Sequence, residues 1–232
     1  MNLAKKKFWS MKALDNKTGE VLLYGEISDV SWWCDEVTPK QFKEDLDALG
    51  DVETIKVFIN SPGGDVFAGQ AIYSMLKRHK AQVHVYIDGL AASIASLIAM
   101  AGDKVVMPAN TMMMIHNPWT LAVGNANDFR KLADDLDKIR DSMITAYGSR
   151  SALTTEEIKG LLDAETWLTA QECVEYGFAD EVEETKELAA SIDKKFLSRY
   201  QNIPETLKKV LDGEKPKNDD QLKRKLFLEL EL

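Results

Sequence analysis

Hydrophobic and polar positions change period several times along this chain, and each change predicts an element. Phe8 to Leu14 and Val21 to Ile27 are strand-like runs. Between them lies Asp15-Asn16-Lys17-Thr18-Gly19, a turn-forming set, so the two runs predict a hairpin. Thr38-Pro39 opens a helical pattern with Phe42, Leu46 and Leu49 on one face and Gly50 as its stop. Ile55 to Ile59 is a short β-rich run ended by Ser61-Pro62-Gly63-Gly64. Val66 to Lys77 then has helical spacing through Phe67, Ala71 and Met75. Val83 to Ile87 predicts a strand, followed after Gly89 by a helix rich in Ala, Ile and Leu. Val105 to Met107 and Met112 to His116 predict strands again.

Strands alternating with helices mean βαβ crossovers, hence a largely parallel sheet or superhelix with helices outside it. The expected class is α/β. Beyond Asn125, residues Phe129, Leu132, Leu136, Ile139, Met143 and Tyr147 form a narrow apolar stripe on one long helix. At ~1.5 Å per residue, Asn127 to Ser149 extends about 34 Å. Such a helix either projects to meet another subunit or packs on its own core, and the pattern fits both. Thr154 with Glu157 and Thr169 with Glu172 form capping boxes, and Gly177 ends the second of these helices. From Glu183 onward charge dominates. Pro204 starts a short amphipathic stretch, and Gly213 to Asp220 reads as a polar linker. Residues 1–183 are therefore expected to form one domain and residues 184–232 a charged, partly helical tail.

Composition narrows the function. The chain has 232 residues, 45% of them hydrophobic, and a formal charge of −9. A net negative field is poorly suited to a phosphate backbone, and the basic clusters Lys5–Lys7 and Lys223–Lys225 are small, so nucleic acid is not an expected partner. The apolar run Leu90 to Ala101 is well short of the ~20 residues that cross a bilayer, and no signal-like stretch follows Lys5–Lys7. A soluble, cytoplasmic protein without a membrane partner is expected. Cys34 and Cys173 are too few and too far apart for a disulfide framework or a zinc site.

Three features could carry chemistry. Asn60-Ser61-Pro62-Gly63-Gly64-Asp65 joins a strand to a helix, where glycine lets backbone N–H groups face an anion. The missing Gly-Lys-Ser/Thr weighs against a nucleotide loop, and a plain tight turn fits equally well. Gly89 to Ser96 includes Ser93 at a second strand-to-helix junction, similar in logic to a nucleophile elbow although G-x-S-x-G is absent. Alone, Ser93 also reads as a cap or packing residue. Met114-Ile115-His116-Asn117-Pro118 places a histidine at a strand end, where it could face a cleft, whereas His79 and His84 look ordinary.

Together these segments resemble the Clp-type serine peptidases (the ClpP family). The resemblance rests on Asn60-Ser61-Pro62-Gly63-Gly64, Gly89-x-Ala91-Ala92-Ser93, Met114-Ile115-His116-x-Pro118 and Leu168-Thr169-Ala170-x-Glu172-x-Val174-x-Tyr176-Gly177-x-x-Asp180. It runs from about Leu22 to Val182. It implies the ClpP/crotonase-like ββα superhelix, with the N-terminal hairpin and long protruding helix read above. It implies Ser93 as nucleophile, His116 as general base, and the Gly64 and Ile94 backbone N–H groups as the oxyanion hole. The family's third residue is an aspartate; here that position is Glu165, with Asp163 as the fallback. No metal or cofactor is implied.

The resemblance also implies peptide or protein substrates and a cyclic homo-oligomer of seven-fold type, with stacked rings as an option. The short stretch before the hairpin and the long tail resemble the head maturation proteases of tailed phages and prophages, which trim capsid and scaffold proteins in the host cytoplasm. The alternative within the family is a degradative core served by an unfoldase ATPase. An alternative of another class is a crotonase-like acyl-CoA enzyme, in which Ser93 and His116 would be superfluous.

Overall fold

The computed structural model describes residues 7–28, 38–184 and 199–205. The chain divides into two compact units, Met1–Ile192 and Asp193–Leu232. In the second unit the described stretch is 199–205. Cys34, the linker Gly213 to Asp220, nearly all of the expected tail and the stretch after Glu205 lie outside the described residues.

The first unit opens with the expected hairpin, β1 (Trp9–Ala13) and β2 (Thr18–Tyr24), paired antiparallel from Trp9↔Leu23 to Ala13↔Gly19. Asp15 makes the turn: its carboxylate accepts from the Lys17 and Thr18 amides, each at 2.7 Å. Helix α1 (Pro39–Asp47) starts from Thr38, whose hydroxyl accepts from the Gln41 amide, and buries Phe42 and Leu46. Strand β3 (Thr54–Ser61), helix α2 (Val66–Lys77) and strand β4 (Gln82–Ala92) follow. Next come helix α3 (Ile94–Ala99), β5 (Lys104–Pro108) and β6 (Met112–Ile115). Helices α4 (Ala126–Gly148) and α5 (Thr155–Asp163), strand β7 (Thr166–Thr169), helix α6 (Ala170–Tyr176) and strand β8 (Glu181–Glu183) complete the order.

The eight strands form one sheet in the order β1-β2-β3-β4-β5-β8, with β6 branching from β4 and β7 from β6. Its interior is parallel, as the crossovers require, while the β1/β2 and β6/β7 pairs are antiparallel. β3 alternates half-buried and buried residues along its whole length, so Ile55, Val57 and Ile59 face the core. The opposite face carries Phe58 stacked on Tyr86, with centroids 5.1 Å apart. Among the described residues no helix is long and apolar enough to cross a membrane.

Two expectations change in detail. Gly89 does not end the strand: β4 runs on to Ala92, because its last residues leave β5 and pair with β6 instead, Leu90↔Met112 through Ala92↔Met114. The long helix packs on its own core over part of its length only. Met143 and Tyr147 at its C-terminal end are buried in the core, whereas Phe129 near its start is 48% exposed. β7 and β8 are too short for a period to announce them.

Candidate functional site

The register of the sheet assembles the site. β4 and β6 run parallel with Ala92 beside Met114, so Ser93 and His116 leave neighbouring strands at the same end of the sheet. β7 runs antiparallel to β6, ending with Ile115 opposite Thr166, so Glu165, just before β7, comes to the end of β6 from which His116 leaves, and its charge acts on the imidazole. Three residues scattered over 73 positions are thus brought to one edge by strand pairing (165 − 93 + 1 = 73).

Ser93 is the N-cap of α3, with φ 55 and ψ −129, and its side chain makes no capping hydrogen bond. A serine at an N-cap ordinarily accepts from an amide in the first turn. Here the positive φ turns the side chain away from that amide, and Oγ lies 2.8 Å from His116 Nε2. The strained conformation is fixed by its surroundings: the Ser93 amide donates to the Met114 carbonyl at 2.8 Å, tying the turn to β6.

His116 is buried, 8% exposed. Burial lowers its pKa below the ordinary 6.5, and the negative charge of Glu165 acts in the opposite direction. The imidazole is therefore neutral at pH 7 and able to take a proton. Glu165 itself sits at φ 48, in the bend between α5 and β7. Asp163 is placed differently: its carboxylate accepts from Asn117 Nδ2 at 2.7 Å.

The glycine loop closes the site from the other side. Gly63 (φ 90) and Gly64 (φ 148) both have conformations that side chains disfavour. A Cβ on Gly63 would lie 2.6 Å from Ser93 Cβ and 3.2 Å from Ile94 N, so the loop rests directly on the serine turn. A parallel bridge to Ile27 fixes it, with the Ile27 amide on the Gly63 carbonyl at 2.8 Å and the Asp65 amide on the Ile27 carbonyl at 2.9 Å. That pattern bypasses the Gly64 amide. The Ile94 amide, first in α3, likewise has no carbonyl one turn back to bond. Two N–H donors, a hydroxyl and a neutral imidazole in one place form a set suited to acyl transfer.

Neither Ser96 nor Tyr147 was read as a site residue, Tyr147 entering only as the end of the apolar stripe of the long helix, yet both are buried beside the serine turn. A serine three residues after a candidate nucleophile was the available signal, but it has the same look as a helix packing residue.

Residues 16–186 match the Clp protease family. Similar chains include the ATP-dependent Clp protease proteolytic subunit of Bacteroides fragilis, 35% identical over 59% of this chain and 67% of its own length in one strain and 63% in another. The subunit of the same name from Deinococcus radiodurans is 33% identical over 61% of this chain and 71% of its own length. The subunit 2 of Thermobifida fusca is 37% identical over 55% of this chain and 64% of its own. The chain thus spans about two thirds of the length of the relatives it matches.

Proposed function

From the premise that this chain belongs to the Clp protease family, whose proteolytic subunits are serine-type peptidases, we propose that it is an endopeptidase using Ser93, His116 and Glu165. The observation that carries this reading is the 2.8 Å contact between His116 Nε2 and Ser93 Oγ at a strained strand-to-helix turn.

In this mechanism the Glu165 charge favours the tautomer with its proton on Nδ1, which leaves Nε2 to accept. Ser93 Oγ attacks the peptide carbonyl as its proton passes to Nε2. The resulting oxyanion is held by the Gly64 and Ile94 N–H groups. His116 then protonates the leaving amine, the C–N bond breaks and an acyl-enzyme ester remains. Water, deprotonated by the same nitrogen, attacks the ester and releases the acid. Glu165 stabilises the imidazolium at both stages, with one methylene more reach than an aspartate.

Labelling and substitution test this directly. A fluorophosphonate should modify Ser93, and Ser93→Ala should cleave no peptide that the wild type cleaves. An unlabelled protein that binds an acyl-CoA would instead support the crotonase-like reading.

We further propose a cyclic homo-oligomer of seven-fold type that trims capsid and scaffold proteins in the host cytoplasm. The exposed first turns of α4 support the assembly, and the processing role rests on the resemblance to head maturation proteases read from the sequence. The printed name of the relatives favours the alternative, a core fed by an ATP-driven unfoldase. Light scattering that finds a 26.0 kDa particle would overturn the ring. Cleavage of a capsid or scaffold protein without ATPase, set against cleavage of an unfolded substrate only when an ATPase is present, separates the two roles.

A further inference from the structure

Ser96 and Tyr147 are fully buried and have no place in the proton relay described above. Ser96 lies in the first turn of α3 and directs two donors at one atom. Its amide reaches the Ser93 carbonyl oxygen at 3.0 Å and its hydroxyl reaches the same oxygen at 2.5 Å. The hydroxyl oxygen also lies 2.8 Å from the Tyr147 hydroxyl, on the buried end of α4.

The direction of this chain of bonds follows from counting protons. A serine hydroxyl has one, and a carbonyl can only accept. Ser96 therefore donates to Ser93, and the proton between the two hydroxyls comes from Tyr147. Burial holds the Tyr147 phenol well above its ordinary pKa, so that proton stays in place under working conditions.

The Ser93 carbonyl and the Ile94 N–H are opposite ends of one planar trans peptide and point in opposite directions. Pinning the carbonyl into the interior turns the N–H outward, toward the space bordered by Gly63 and Ser93. We propose that Ser96 and Tyr147 are a positioning pair that sets the plane of the Ser93–Ile94 peptide and so aims the Ile94 N–H at the oxyanion. This inference rests on the serine-peptidase reading of the same site.

A pair that merely satisfies buried polar groups would influence stability and rate together. A positioning pair separates them. Ser96→Ala leaves the Tyr147 hydroxyl buried without its acceptor, whereas Ser96→Ala combined with Tyr147→Phe removes both hydroxyls. The experiment measures Tm, kcat and KM on a fluorogenic peptide for the wild type, both single variants and the double variant. Ser96→Ala should lower kcat about tenfold, less than outright loss of an oxyanion donor because the amide remains. KM and the acid limb of the pH profile should not move. The double variant should regain the Tm lost by Ser96→Ala and keep the low kcat.

Recovery of kcat together with Tm in the double variant, or an unchanged kcat in it, would overturn the positioning role. Should Ser96→Ala fail to fold, the double variant still decides the question. A wild type that fluorophosphonate does not label at Ser93 would remove the peptidase reading, and the role with it, whereas a labelled wild type beside a fully active double variant removes the role alone.

Discussion

Gly64→Ala offers a sharp test of how backbone placement supports the proposed chemistry. A Cβ at Gly64 would lie 1.9 Å from the Ile27 carbonyl oxygen, with the Ile27 C and N atoms at 2.8 and 2.9 Å. All three are backbone atoms of the bridge that holds the loop, so no side chain can swing away. Carbon and oxygen settle at about 3.3 Å, so the loop must move by about 3.3 − 1.9 = 1.4 Å. The φ of 148 adds strain of about 1–3 kcal/mol, and the crowding adds about 1–3 kcal/mol more. A total of about 2–6 kcal/mol weakens a domain of ordinary stability, ~5–15 kcal/mol, without necessarily unfolding it. A donor displaced by more than 1 Å costs about 10²-fold in rate, on the scale of losing one oxyanion-hole donor.

The expected result is a kcat lower by about 10²-fold with KM little changed. Gly50→Ala is the control: its φ is 73, but nothing lies within 4 Å of the added carbon. It should lose roughly 1–2 kcal/mol of stability and no activity. The assay is saturating turnover of a fluorogenic peptide, scaled by the folded fraction from urea unfolding. Equal scaled kcat for Gly64→Ala and Gly50→Ala would refute the placement of the Gly64 amide at the reacting carbonyl.

The pH profile follows from His116: because burial holds its pKa below 6.5, kcat/KM should fall only as the pH drops through that lower value, and an acid limb centred above 6.5 would contradict it. Glu165→Gln removes the charge that raises this pKa, so the limb should move to still lower pH; kcat should drop on the order of 10⁴-fold, as when another triad carboxylate becomes an amide. Asp163→Asn should leave the position of that limb unchanged, since Asp163 is engaged by Asn117. Phe42→Ala empties a site that is 0% exposed and should cost about 3–5 kcal/mol in denaturant unfolding. Thr169→Ala breaks the capping box that begins α6 and should cost ~1 kcal/mol by the same measurement.

The local grammar of the chain was readable without coordinates wherever one short segment settles its own conformation. The Asp15–Gly19 turn, the caps at Thr38, Thr154 and Thr169 and the stop at Gly177 depend on residues within a few positions of one another. The span of α2 was readable in the same way, but its core face is Ala68, Ile72 and Leu76, one position on from the Phe67, Ala71 and Met75 line, and Phe67 is exposed. Ser93, His116 and Glu165 could be named from motifs, but their meeting could not, because strand register is a long-range choice. Ala92↔Met114 and Ile115↔Thr166 bring the ends of β4, β6 and β7 together, and no feature of the separate segments fixes those partners. The same reason explains why β4 continues past Gly89 and why Ser96 finds Tyr147 from 51 positions away. Sequence determined which groups were available and which turns could carry them; tertiary structure decided which groups face one another, because burial and strand pairing act between segments that share no local pattern.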